Sequence, residues 1–201
     1  MRQKWFLAVL LVGFAVATAG CSSPPQADID AATAAIGEAA SAGAGEYAAD
    51  SLKAAEDARA ALEAELKVQE EKFALFRSYT KTAELAAAAK AAGEKAGQDA
   101  MAGKEAAKNA ASAVIEEAKT ALTEAQALLE KAPRGKGTQA DLEAMKADLT
   151  AAATSIGEAE ASFAAERYLD ARAKAEAAKT AATTVTTAVQ QAIDARRGVR
   201  R

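Results

Sequence analysis

Between Pro25 and Pro133 the chain carries no proline, and alanine supplies most of its 51% hydrophobic content. Alanine has the highest helix propensity of any residue, and nothing in that long stretch forces a helix to stop. Strand signals are missing. The richest β-branched run, TTVTTAV at 183–189, sits inside a helical period. The expected fold is therefore all-α. Alanine also buries little area, and aromatic residues make up only 4% of the chain. A thick core cannot be built from such side chains, but close helix approach can. Elongated antiparallel helical hairpins or a bundle with coiled-coil-like, Ala-rich seams follow.

The seams can be read directly. Leu142, Met145, Leu149, Ala152, Ile156, Ala159 and Phe163 alternate spacings of three and four. The phase then slips, and Tyr168, Ala171, Ala175, Ala178, Ala182, Val185 and Val189 restart the pattern. Two helices joined by a tight turn near Glu166 account for the slip, and a continuous helix with a stutter is the competing account. Ile115, Ala118, Leu122, Ala125, Leu129 and Ala132 carry another seam up to a break at 133–137, where Pro133, Gly135 and Gly137 interrupt the chain. Thr138 is a candidate N-cap for the next helix, with Asp141 three residues on.

An internal duplication is expected. Leu52 stands 21 residues before Phe73, as Leu142 does before Phe163, and Tyr79 stands 11 before Lys90, as Tyr168 does before Lys179. This suggests a first helical region over 28–132, containing a hairpin and a long helix, and a second hairpin over 138–195. Gly93, Gly97 and Gly103 fall in the long helix. Gly93 and Gly97 mark either a hinge or a close helix crossing, or else all three are glycines merely tolerated there, the reading we favour.

The amino-terminal end reads as an address. Arg2 and Lys4 precede an uncharged stretch from Trp5 to Gly20, which has the make-up of a signal peptide over 1–20. The stretch is too short for a comfortable membrane span. Thr18-Ala19-Gly20-Cys21 resembles a bacterial lipobox, with Thr18 where leucine is usual. That resemblance implies cleavage before Cys21 and a diacylglyceryl group on its sulfur. Cys21 is the one cysteine, so no intrachain disulfide is possible. Residues 21–27 then read as a flexible, proline-bearing tether. Ser22, where aspartate would favour inner-membrane retention, points to the outer membrane facing the periplasm.

The segments GEYAADSLKAAEDARAALEAE, GKGTQADLEAMKADL and AERYLDARAKAEAA resemble a family of Ala-rich bacterial envelope lipoproteins whose helical domain has no assigned activity. The resemblance implies a membrane-tethered, all-helical periplasmic protein, and it carries over no catalytic residue. The last segment is also similar to part of a tetratricopeptide unit at Tyr168, Ala171, Ala175 and Ala178. The Trp and Leu-Gly positions of a complete unit are absent.

Residues suited to chemistry are scarce. There is no histidine, which excludes Ser-His-Asp and Cys-His arrangements and Glu-x-x-His metal pairs. An acylated Cys21 leaves no thiolate for zinc. RGKGT at 134–138 lacks the upstream glycine and the Lys-Ser/Thr pair of a phosphate loop. We expect no enzyme, no cofactor and no metal. The full-length charge of −3 becomes −5 once Arg2 and Lys4 leave with the signal, so nucleic acid is not an expected partner. Arg196, Arg197, Arg200 and Arg201 crowd a basic tail over 196–201. They suit either a helix C-terminus or an anionic glycan or lipid surface. The expected function is that of a lipid-anchored spacer or interaction module, with self-association or a helical envelope protein as partner. Non-covalent binding of peptidoglycan or anionic lipid through the arginine tail is the alternative.

Overall fold

A computed structural model describes residues 23–133 and 139–199 of the chain. Cys21, the signal segment, residues 134–138 with the Thr138 cap, Arg200 and Arg201 lie outside the described residues. The protein is all-α, and no strand occurs among the described residues. Its helices are α1 (Gln26–Ser41), α2 (Ala44–Tyr47), α3 (Ala49–Glu71), α4 (Thr80–Glu130), α5 (Gln139–Ala164) and α6 (Tyr168–Val199). A 3-10 turn, Ala74–Phe76, lies between α3 and α4.

Contacts divide the chain into two compact units between Gly103 and Lys104, inside α4 rather than at the Pro133 break. In the first unit α1, α3 and the first half of α4 form a three-helix bundle. Ala32, Leu62, Ala86 and Ala89 pack in one layer with Ile29, Leu66 and Leu85 at its edge. Ile36, Ala39, Ala44, Ala55, Ala96 and Ala100 form the next layer. The order of residues through these layers makes α1 antiparallel to α3 and parallel to α4. The amino end of α1 therefore lies at the same end of this unit as the α3–α4 connection.

Close approaches of α4 to α1 and to α2 explain two glycines. A methyl group on Gly93 would lie 2.8 Å from the Ile36 nitrogen and 2.9 Å from the Ala35 carbonyl carbon, and one on Gly103 would overlap the Tyr47 carbonyl oxygen. These are close crossings, which corrects the reading of tolerated glycines at these two sites. Gly97 has only ordinary contacts at 3.8 Å and beyond. The helix runs through all three glycines without a break over 51 residues.

α1 itself begins at Gln26, inside the segment read as a tether, with Pro25 at its N-cap and Asp28 in its first turn. Proline fits here because the first turn leaves its amides without helical partners. The helix stops at Gly43, whose φ of 88° is the left-handed conformation that glycine adopts without Cβ strain.

In the second unit α4 from Lys104 onwards packs with α5 and α6. Ile115, Ala118, Ala152, Ile156, Ala175 and Ala178 meet in one layer, and Ala125, Leu129, Leu149, Val185 and Val189 in another. These are the residues of the three seams, so the 3-4 periodicity closes within the chain. The slip after Phe163 is a turn, and the stutter account is overturned. Glu166 has φ 59°, the Arg167 amide donates to the Ser162 carbonyl (2.9 Å), and the Glu166 amide donates to that of Phe163 (3.0 Å). That is a Schellman ending with a glutamate where glycine is usual.

The duplication holds for one helix of each pair. Tyr79 and Tyr168 are both buried at a helix start, followed by buried Ala86 and Ala175, then Ala89 and Ala178. Phe73 and Phe163, matched by spacing, are not equivalent. Phe163 packs edge-on against Tyr168 with ring centroids 5.2 Å apart, whereas Phe73 lies in the α3–α4 loop and is 69% exposed.

Candidate functional site

The feature that stands apart from the alanine seams is the loop KFALFRSY, residues 72–79. Phe73 is 69% exposed, and Leu75 and Phe76 are each 76% exposed. Val68, on the last two turns of α3, is also exposed. Fully burying a Leu or Phe side chain is worth about 1.5–3 kcal/mol, so leaving three outside forfeits a sizeable stabilisation. In a chain with so few large apolar residues, three of them within four positions are on the surface.

The loop is held in this conformation by its polar groups. Lys72 leaves the helix in extended conformation, with φ −76° and ψ 147°. The Phe76 amide donates to the Phe73 carbonyl at 2.8 Å, which closes the 3-10 turn. The Arg77 guanidinium reaches back and donates to the Lys72 carbonyl at 3.0 Å and to that of Glu70 at 2.8 Å. It thereby satisfies carbonyls that the end of α3 leaves open.

At the root of the loop, Gln69 is buried and acts in both directions. Its amide nitrogen donates to Glu65 at 2.6 Å, and its oxygen accepts from the Ser78 backbone amide at 3.0 Å. Glu65, also buried, pairs with Lys81 of α4 at 2.6 Å. The hydrogen bonds from Lys81 and then Gln69 hold the Glu65 carboxyl below the usual carboxylate range. Tyr79, the last residue of the loop, is also buried. Phe73 and Phe76 contact each other at 6.4 Å between ring centroids, tilted by 52°. The Gln69 ties are buried or part-buried, the Arg77 ties lie at the surface, and the side chains of Phe73, Leu75 and Phe76 are exposed.

The duplication implied a turn between Phe73 and Tyr79, but it matched Phe73 to Phe163 and gave no sign that Phe73, Leu75 and Phe76 are exposed. The available signal was local: three large apolar residues crowded into a chain whose seams are alanine.

Of the residues singled out from sequence, Arg196 is exposed and Arg197 lies 3.8 Å from Asp194. Both are in the last turns of α6, the placement that suits a helix C-terminus. The other candidate site residues, Cys21, Arg200 and Arg201, lie outside the described residues. No group of three metal-ligating side chains occurs among the described residues, and no described helix is long and apolar enough to cross a membrane. A shallow open trough between α5 and α6 is lined by alanine, serine and threonine, with Asp148 at one edge. The hydroxyls of Thr180 and Thr184 are donated to carbonyls of their own helix.

Comparison with protein-family models, with curated proteins and with solved structures finds no match. What stands is an all-helical protein with no family identified.

Proposed function

We propose that this protein is a non-catalytic helical spacer or interaction module of the bacterial cell envelope, anchored through a lipid on Cys21. In this reading it sits at the outer membrane, facing the periplasm. The observation that carries the proposal is the single cysteine just after the uncharged stretch from Trp5 to Gly20, five residues before a helix begins. Two chains of a diacylglyceryl group suffice for stable attachment, where one chain would not.

The way the seams close supports a spacer over an obligate oligomer. Within each unit the Leu, Ile and Val positions of the seams pack against partners from the same chain. Among the described residues, no open stripe of seam residues is left over to demand a second copy. The exposed tail arginine Arg196 keeps the anionic-surface reading as the alternative.

Metabolic labelling with an alkyne fatty acid tests the anchor. Label should enter the protein and be lost in Cys21→Ala. Equal labelling of that variant would reject it. In-cell crosslinking then tests the module, since a spacer that engages another envelope protein gives a discrete adduct. For the alternative, binding to purified sacculi should be salt-sensitive and lost when the chain ends at Ala195.

A further inference from the structure

We propose that the Phe73–Leu75–Phe76 loop is a second membrane contact, a tip that enters the interface of the same bilayer that holds the lipid on Cys21. This rests on the anchored reading above and adds an orientation to it.

The argument is geometric. Ile29, Leu66 and Leu85 share one layer of the first unit. From that layer α1 runs three residues back to Gln26, α3 runs five on to Glu71, and α4 runs five back to Thr80. At 1.5 Å per residue all three helix ends lie within about 8 Å of that layer along the axis. Cys21 is five residues from Gln26, a reach of at most about 18 Å. An anchor on Cys21 thus brings to the bilayer the end of the unit where the three exposed apolar side chains stand. An interfacial segment sinks its apolar face roughly 5–10 Å into the headgroup and acyl boundary, a depth that side chains on a short loop can reach.

Charge adds nothing specific here. Glu70 and Glu71 offset Lys72 and Arg77. The contact is therefore one of apolar side chains with any fluid bilayer, and it is insensitive to salt. The hydrogen bonds of Arg77 and Gln69 hold the tip ready, so little order need be gained on contact.

The chain from Cys21 onward has no tryptophan, because Trp5 lies in the leader. One tryptophan can then report depth. The chain 21–201 is coupled through Cys21 to a maleimide lipid in phosphatidylcholine vesicles containing brominated acyl chains. Coupling by chemistry makes the test independent of whether cells acylate the cysteine. Phe76→Trp is the probe. Met101→Trp is the control, exposed on α4 some 30 Å along the helix from its start. Helicity by circular dichroism checks that both variants are folded.

The expected result is emission from Phe76→Trp that shifts to the blue and is quenched about twofold by the brominated lipid, with Met101→Trp unaffected. High salt should leave this unchanged. No quenching of the first, or equal quenching of both, overturns the proposal. A blue shift that appears without lipid and grows with protein concentration also overturns it, because the tip would then be covered by a second copy. Failure of the unaltered protein to take up fatty-acid label in cells, with quenching intact in vesicles, would instead reject the anchor and leave the tip.

Discussion

Gly93 of α4 lies so close to Ile36 of α1 that a single methyl group would stand 2.8 Å from the Ile36 backbone nitrogen. A contact that short requires a backbone to move. Gly93→Ala should therefore destabilise the protein, by about 1–3 kcal/mol, although alanine is the better helix former by about 1 kcal/mol. Gly157→Ala is the control, since nothing lies within 4 Å of the position its Cβ would take. It should stabilise α5 by about 0.5–1 kcal/mol. Urea melts of the two variants should shift in opposite directions. Shifts of the same sign would discredit the close α1–α4 crossing.

Glu166 gives a second comparison. Its left-handed backbone costs about 1–2 kcal/mol in any residue with a Cβ, while its carboxylate accepts a 2.6 Å hydrogen bond from Lys104. Both partners are largely exposed, so that pair is worth little. Glu166→Ala loses the pair and keeps the strain, whereas Glu166→Gly loses the pair and relieves it. The glycine variant should be the more stable of the two by about 1 kcal/mol in thermal melts. Equal stability would mean that the turn is not a Schellman ending.

Thr82 is buried in the first turn of α4, and its hydroxyl has no hydrogen-bond partner among the described residues. Ala171 occupies the matching place after Tyr168. A buried hydroxyl without a partner costs about 1–3 kcal/mol. Thr82→Val keeps the shape and removes that cost, so its denaturation midpoint should rise by the equivalent of about 1 kcal/mol. A fall would show that the hydroxyl is satisfied in solution.

How far the fold could be read in advance depended on whether large residues lay on a seam. Leu149, Ile156, Val185 and Val189 follow the 3-4 spacing and are buried, so their period and their partners coincide. The break after Phe163 was visible as a lost phase because both flanking seams were strong. α1 was not singled out, since Ala32, Ala35 and Ala39 look like any other alanine in this chain. The choice between tolerated and close-packed glycines at 93 and 103 depends on a partner helix that sequence spacing does not name. The duplication set Phe73 and Tyr79 on either side of a turn, but the apolar tip was hidden because the same match paired Phe73 with Phe163, which packs against Tyr168, and so implied burial.

The Gln69 ties should respond to acid through Glu65. Its carboxyl is held below the ordinary value of 4.5, first by the hydrogen bond from Lys81 and then by that from Gln69. The stabilisation from a depressed carboxyl is complete above the value in the unfolded chain and is lost as pH falls through the lower folded value. Protonation turns an acceptor for both neighbours into a poorer one and removes the charge that Lys81 pairs with. Gln69 then has less to hold its amide in place, and the Ser78 amide loses the orientation of its acceptor. The carbon resonance of the Glu65 carboxyl should therefore titrate with a midpoint below 4.5, and the Ser78 amide should shift in step with it. In Lys81→Met the Glu65 midpoint should move up towards the ordinary value, and exchange of the Ser78 amide should quicken, while the seam amides of the second unit stay protected. A Glu65 midpoint at or above 4.5 in the unaltered protein, or a Ser78 amide indifferent to it, would show that the root of the loop is not closed by this chain of contacts.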